Sequence, residues 1–151
     1  MASKNSSKIV VGLFVIVTAL AANTWAGPDC KTIDTAQLHA MVVDNAYTLE
    51  GGRKKHFTIV DARTKEEFEQ AHIFSAINVP ENNFNASSRL LPENKEELLV
   101  VYGSDVVQSE TSRKWADHAA AAGYGNVVIY SEGFHVWKEK KMPVALFGKG
   151  L

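Results

Sequence analysis

The feature that most constrains this chain is a strand, loop and helix unit at residues 98–124. It starts as a continuous apolar run, Leu98–Tyr102, which is typical of a strand buried on both faces. Gly103 and a polar loop follow, then a helix that Gly123 is positioned to end. The apolar side of that helix is expected to carry Trp115, Ala116, Ala119 and Ala122. Such corners of open α/β sheets gather backbone N–H groups, so we expect any functional site to lie here.

Strands and helices alternate along the rest of the chain. Further buried strands are predicted at residues 57–60, 76–79 and 126–130. Capping boxes predict two helix starts: Asp34 with Gln37, and Thr64 with Glu67. Since neighbouring parallel strands need crossover connections, this order predicts one α/β domain with a parallel sheet and helices on both faces.

Several local expectations accompany that fold. The first helix should bury Leu38, Met41 and Val42, the second should run through Phe68 to His72, and Ser131 should cap the last helix. Residues 51–55 are predicted to be a charged, solvated loop, and residues 81–95 a loop with one helical turn. Three aromatic side chains, those of Trp115, Phe134 and Trp137, are expected to fill the core.

The first 26 residues have the pattern of a signal peptide. Lys4 and Lys8 form a basic start, residues 9–20 an apolar stretch, and cleavage could follow Ala26 or Ala21. The apolar stretch is shorter than the ~20 residues a membrane-spanning helix needs. We therefore predict an exported protein, periplasmic or secreted, whose folded domain is residues 27–151 with no stable membrane anchor.

Charge and cysteine content exclude some functions. Removing the first 26 of the 151 residues takes away two lysines and no acidic residue, so the formal net charge changes from −1 to −3. No basic stripe remains, which argues against nucleic acid as a partner. Cys30 is the only cysteine, so no internal disulfide can form, and we interpret it as an incidental residue of a flexible N-terminal tail.

A set of short motifs, in this order and spacing, resembles the rhodanese-like domain family. The matching residues are Asp61-Ala62-Arg63, Glu67-Phe68, His72-Ile73, Ala76-Ile77-Asn78-Val79-Pro80, Val100-Val101-Tyr102, Gly123-Tyr124, Gly133-Phe134 with Trp137, and Met142-Pro143-Val144. The resemblance covers roughly residues 31–145. The chain departs from the family at Ala71, Phe74, Ser75 and Glu132, where glycine or proline is common.

The resemblance implies a small five-stranded parallel sheet flanked by helices, and sulfur transfer through a persulfide on one cysteine. The family's cysteine directly follows the Val-Val-Tyr strand, and here that position is Gly103. A sulfane sulfur must be accepted by a thiolate, which glycine cannot provide. The sequence therefore predicts a rhodanese-like domain without its catalytic residue.

The loop that follows is the predicted recognition surface, with no cofactor and no metal. Its eight residues are Gly103, Ser104, Asp105, Val106, Val107, Gln108, Ser109 and Glu110. Family members are expected to hold thiosulfate-like anions with basic loop residues, whereas this loop contains two carboxylates and no base. Carboxylates beside a helix N-terminus occupy its positive end and repel an anionic substrate.

Several of these residues allow an ordinary structural interpretation as well as a functional one. Ser104 or Ser109 could act as a nucleophile, but neither has a histidine nearby in sequence, and Ser109 fits an N-cap. Asp105 could bind a metal with Glu110, or a cationic ligand, although a solvated acidic loop is the ordinary interpretation. By resemblance, Asp61 and Arg63 form an ion pair or hydrogen bonds that support the loop, and His72 anchors the turn before the next strand. None of the three is expected to take part in chemistry.

The favoured functional hypothesis is a binding or regulatory module that recognises an unknown protein or small ligand. The competing hypothesis is a working sulfurtransferase that uses Cys30 or a partner's thiol, or a hydrolase using the altered loop. A structural accessory of a membrane or periplasmic complex is a third possibility.

Overall fold

A computed structural model describes residues 30–44, 47–48, 54–105 and 110–146. Three predictions lie outside these residues: the signal peptide, the tip of the 51–55 loop, and Val106 to Ser109 of the recognition loop. Within the described part of the chain, no helix has the length and apolar character needed to cross a membrane.

Five parallel strands form the central sheet. They are β1 (Lys31–Ile33), β4 (Phe57–Asp61), β6 (Ile77–Asn78), β7 (Leu98–Tyr102) and β8 (Val127–Tyr130). Their order across the sheet is β1-β8-β7-β4-β6, and every pairing is parallel. The predicted five-stranded parallel sheet is therefore confirmed.

Five helices and two small ribbons complete the described elements. The helices are α1 (Thr35–Asp44), α2 (Lys65–Gln70), α3 (Phe84–Ser87), α4 (Glu110–Ala121) and α5 (Gly133–Glu139). The antiparallel ribbons pair β2 (Tyr47–Thr48) with β3 (Lys54–Lys55), and β5 (His72–Ile73) with β9 (Val144–Ala145). Both predicted capping boxes are present, with Asp34 bonding to Gln37 and Thr64 to Glu67.

The hydrophobic core lies on both faces of the sheet because β7 is buried on both. Leu99 and Val101 pack on the face covered by α3 and α4, while Val100 and Tyr102 pack on the face covered by α1 and α5. Each face has one fully buried tryptophan, Trp115 on the first and Trp137 on the second. Each indole N–H donates to a backbone carbonyl, of Val79 and Pro143 respectively, so these large side chains are buried with no unmet hydrogen bond.

Three predictions about helix ends and faces are wrong. Helix α2 ends at Gln70, and His72 lies in β5, because the backbone at Ala71 is extended. Ser131 does not cap α5; its hydroxyl donates instead to the carbonyl of Ile33 on the neighbouring strand. Ala122 is exposed just past the end of α4, where Gly123 adopts a φ of +91°.

Three loop predictions also need correction. Residues 81–95 contain α3 and two 3₁₀ turns, Glu81–Asn83 and Ser88–Leu90, because Phe84 and Leu91 bury their side chains in the core. Lys54 and Lys55 form a strand that pairs with β2. Cys30 is half-buried against the core face that holds Trp115, so it is not part of a free tail.

Candidate functional site

The candidate site lies where β4 and β7 end side by side. The connection from β4 leads to β6 on one side, and that from β7 leads to β8 on the other. Such a reversal of direction opens a crevice beyond the carboxyl ends of the two strands. Asp61 pairs with Tyr102 in register, and the amide of Ala62 donates to the carbonyl of Tyr102 at 3.0 Å. Arg63 and Gly103 therefore follow the carboxyl ends of the two strands close to each other.

A buried ion pair forms the floor of this crevice. The Asp61 carboxylate is 0% exposed and accepts hydrogen bonds from the Arg63 backbone amide and guanidinium, with a shortest N–O distance of 2.6 Å. The Tyr102 hydroxyl also donates to Asp61, at 2.5 Å. The guanidinium donates to the carbonyl of Ala71 and lies 4.0 Å above the ring centre of Phe134. The cluster thus joins β4, β7 and α5.

Charge and burial act together on the groups of this cluster. Burial lowers the pKa of Arg63, but its hydrogen bonds and charge interaction with Asp61 outweigh burial and raise that pKa above its usual value. Burial, followed by the Asp61 charge, raises the pKa of Tyr102 well above its usual value. The guanidinium therefore stays charged and the phenol neutral, which fixes both as hydrogen-bond donors.

His72 supports the adjoining turn. It is buried, its Nδ1 lies 2.8 Å from the carbonyl of Phe68, and its ring stacks on the Phe68 ring with centres 3.7 Å apart. The next amide, of Ile73, donates to the Tyr102 hydroxyl. His72 therefore fixes the chain between α2 and β5 and does not line the crevice.

The start of the loop after β7 is tied to two helices. The Ser104 hydroxyl donates to Glu67 of α2 at 3.1 Å. The amides of Phe134 and His135 in α5 donate to the carbonyls of Gly103 and Ser104, at 2.9 and 3.1 Å. Burial raises the pKa of Glu67, but its hydrogen bonds with Thr64 and Ser104 outweigh burial and lower it, so Glu67 is an ionised acceptor at neutral pH.

Gly133 permits the close approach of this loop to α5. Its φ is +72°, and a Cβ at this position would lie 2.6 Å from the carbonyl oxygen of Asp105. Both facts require glycine here. The Gly-Phe pair at the start of the last predicted helix therefore positions the loop, which the sequence alone did not indicate.

Both loop carboxylates have a basic partner that sequence reasoning missed. Asp105 lies 2.7 Å from Nδ1 of His135, and Glu110 lies 2.7 Å from Nζ of Lys114. The hydrogen bond and charge of Lys114 lower the pKa of Glu110. Lys114 was visible as an i,i+4 neighbour, but His135 is 30 residues away from Asp105 and left no sequence signal.

A cavity of about 330 Å³ opens above the ion pair. It is lined by Ala62, Arg63, Thr64, Glu67, Glu81, Asn82, Ser104, Asp105 and Thr111. Three carboxylates face one guanidinium that is already neutralised by Asp61, so the lining disfavours anions. Of the predicted site residues, Arg63, Ser104 and Asp105 meet here. Asp61, Gly103, His72 and Glu110 are not in the lining.

The cavity lining holds six residues that sequence reasoning did not assign to the site. Five of them are polar: Thr64, Glu67, Glu81, Asn82 and Thr111. The capping box of Thr64 and Glu67 marked a helix start but not a cavity wall. Among the described residues, no group of three or more histidine, cysteine or acidic side chains is arranged to hold a metal.

Cys30 precedes the edge strand β1 at its amino end, whereas Gly103 follows the central strand β7 at its carboxyl end. Lys31 pairs with Val128, which pairs with Val100, so Cys30 is four residues below the level of Gly103 and two strands away. Strand geometry converts this into roughly 13 Å along the strands and about 10 Å across them. The single thiol of the chain is therefore remote from the cavity.

Solved structures with the same fold come from several organisms. The Alr3790 protein from Anabaena sp. is 21% identical with a TM-score of 0.62, over 77% of this chain and 93% of that chain. A rhodanese-like domain protein from Staphylococcus aureus is 26% identical with a TM-score of 0.54, over 71% and 90%. A thiosulfate sulfurtransferase from Pseudomonas aeruginosa is 15% identical with a TM-score of 0.61, over 78% of this chain but 20% of its own.

Comparison by sequence gives a family but no individual relative. No curated protein matches the chain. The profile of the rhodanese-like domain matches residues 43–140, about two thirds of the 151 residues, and spans the ion pair, the loop after β7 and α5. This chain belongs to the rhodanese-like domain family.

Proposed function

We propose that this rhodanese-like domain has no sulfurtransferase activity and acts as a binding or regulatory module, with the cavity beside β4 and β7 as its recognition site. The observation that carries the proposal is Gly103 at the first position after β7. The resemblance to the family puts the persulfide-forming cysteine there. A persulfide needs a thiolate as its carrier, and Gly103 has no side chain.

The position of Cys30 argues against a substitute thiol. The strand register separates it from Gly103 by two strands and about four residues along the sheet. It packs against the core face that holds Trp115, whereas the cavity lies beyond the carboxyl ends of the strands. Delivery of sulfur from Cys30 to the cavity would need at least the edge strand β1 to separate from β8.

The charge of the cavity supports the same proposal. Glu67, Glu81 and Asp105 line it, and the only guanidinium in the lining is bound to Asp61. Thiosulfate carries two negative charges, so its entry is opposed at neutral pH. A neutral or cationic group of a partner suits this lining better than a sulfur-donor anion does.

The test is persulfide formation and sulfur transfer by the mature domain. Protein exposed to thiosulfate is analysed by mass spectrometry for a gain of about 32 Da, and thiosulfate:cyanide turnover is measured in parallel. We expect neither in the wild type. Gly103→Cys is the matched gain variant, because it places a thiol at the position directly after β7 where the resemblance puts the family's cysteine.

A second variant separates this proposal from the competing one, a sulfurtransferase that uses Cys30 or a partner's thiol. Wild-type turnover that disappears in Cys30→Ser would establish the enzyme and refute the module. Turnover that persists in Cys30→Ser and depends on an added thiol protein would assign the chemistry to the partner. A persulfide on Gly103→Cys alone would show that only the thiol was missing.

Export is the remaining element of the proposal. It rests on the basic start, the apolar stretch of residues 9–20 and the two cleavage patterns that end at Ala21 and Ala26. N-terminal sequencing of the protein recovered from the cell exterior or periplasm tests it. A chain retained inside the cell with Met1 still present would contradict export.

A further inference from the structure

Resting on the proposed role of the cavity as a binding site, we infer that His118 and His135 make this cavity pH-sensitive. It repels anions more strongly while both imidazoles are neutral than when both are protonated. The inference comes from two histidine–carboxylate contacts on different walls, each involving a carboxylate that lines the cavity.

The first contact joins α5 to the loop after β7. Nδ1 of His135 lies 2.7 Å from Asp105, and the backbone amide of His135 holds the carbonyl of Ser104. On its own helix, Glu139 lies one turn further on. In the sequence, residues 106–109 of the loop are Val, Val, Gln and Ser, which carry no ionisable side chain. Asp105 is therefore the carboxylate whose charge a protonated His135 balances.

The second contact joins α4 to the 3₁₀ turn Glu81–Asn83, two residues of which line the cavity. Nε2 of His118 lies 3.6 Å from Glu81, and the imidazole stacks on Phe84 of α3 with ring centres 5.3 Å apart. One turn earlier on α4, Lys114 adds positive charge near Glu81, although its ammonium is bonded to Glu110. The distance of 3.6 Å exceeds a hydrogen bond, so protonation of His118 strengthens the contact mainly through charge.

The two contacts change the charge around the cavity by two units. With neutral imidazoles, Glu67, Glu81 and Asp105 contribute three negative charges, since Arg63 is balanced by Asp61. Histidine is the side chain whose charge ordinarily changes between pH 5 and 8. Protonation of both imidazoles leaves one uncompensated carboxylate, Glu67, which is held by Thr64 and Ser104.

Inorganic sulfate is the probe for this inference. Amide chemical shifts of Ala62, Arg63 and Ser104 are followed during sulfate titration at pH 8.0 and pH 5.5, at constant ionic strength. Because two positive charges appear within about one Debye length of the ligand, we expect sulfate to bind about fivefold tighter at pH 5.5. The pH of 5.5 lies between the ordinary ranges of carboxyl and imidazole groups.

Matched variants assign the effect to the two histidines. In the double variant His118→Gln/His135→Gln, the ratio of the two affinities should fall to about one, and each single variant should remove about half of the effect. Both imidazoles are exposed, so loss of folding is not expected, and the single variants keep the inference testable if the double variant folds poorly. His56→Gln removes an exposed histidine outside the cavity lining and should keep the wild-type ratio.

Three results would overturn the inference. They are equal sulfate affinity at both pH values, a pH dependence that survives in the double variant, and no shift of the cavity amides with sulfate at pH 5.5. Sulfate has no transferable sulfur, so these results are independent of persulfide formation. Failure here would leave the binding module intact, and sulfur transfer by the wild type would refute the module whatever the sulfate result.

Discussion

Replacing Asp61 with asparagine should destabilise the domain by about 3 kcal/mol, because it leaves a buried guanidinium without its counter-charge. Arg63 is 6% exposed and Asp61 is fully buried, so water from the cavity replaces the lost partner only in part. Breaking a buried ion pair from one side typically costs about 3–5 kcal/mol. The lower end applies here, since the asparagine oxygen can still accept from the Arg63 amide and guanidinium.

Urea unfolding followed by tryptophan fluorescence measures this loss. Trp115 and Trp137 are fully buried on opposite faces of the sheet, so the signal reports on both halves of the core. With an m-value of about 2 kcal/mol/M, a loss of 3 kcal/mol lowers the midpoint by about 1.5 M. The m-value itself should not change, because the surface exposed on unfolding is the same.

Glu69→Gln is the matched control for the removal of one charge from an ion pair. Glu69 pairs with Lys65 at 3.5 Å on the surface of α2, and the two side chains are 43% and 73% exposed. The expected loss is below about 0.5 kcal/mol. The reasoning would be refuted if Asp61→Asn lost less than about 1 kcal/mol of unfolding free energy at an unchanged m-value, or no more than Glu69→Gln. The buried Asp61–Arg63 pair would then not stabilise this part of the fold.

Two further predictions concern the neighbourhood of α5. Gly133→Ala should lower the free energy of unfolding by about 2 kcal/mol, because Gly133 has a positive φ and the added methyl group would meet the Asp105 backbone. The control is Gly125→Ala, where an added Cβ has nothing within 4 Å, and it should change the free energy of unfolding by less than about 1 kcal/mol. Equal losses of the two variants in urea unfolding would contradict the steric argument. The hydrogen bond from Lys140, followed by those from Thr35, lowers the pKa of Glu132 to about 2. The ionised Glu132 carboxylate therefore stabilises the fold fully above the usual pKa of 4.5, and this contribution is lost as the pH falls towards 2. Between pH 5.5 and 3.0 the wild type should therefore lose about 1 kcal/mol more stability than Glu132→Gln, and parallel losses in unfolding experiments would refute this assignment.

The fold could be predicted where one local signal dominates. The apolar run of β7 and the capping box of α2 each depend on residues that are close in sequence, and both are present in the structure. His72 shows the opposite case. It follows helix-favouring residues, but the pairing of β5 with β9, whose strands are more than 70 residues apart, takes it out of the helix.

The site could be predicted only in part for the same physical reason. The position of Gly103 followed from the strand before it, and the Asp61–Arg63 pair from one motif in which the two residues are two positions apart. The contacts of Asp105 with His135 and of Ser104 with Glu67 join residues 30 and 37 positions apart. Side chains of that separation meet only through packing of α2 and α5 on the sheet, which no pattern within one segment encodes.

The interactions that shape this corner do not involve a side chain at residue 103. The floor is formed by Asp61, Arg63 and Tyr102, and the loop is held through the backbone carbonyls of Gly103 and Ser104. Ser75, at a position where the family often has glycine, still adopts a φ of +68°, so the turn keeps a glycine-type conformation without the glycine. These contacts, as far as the described residues show them, therefore do not depend on a side chain at position 103. A crevice that is held together by residues other than the one at position 103 can bind a partner without a thiol there, which is why we propose recognition and not sulfur transfer as its role.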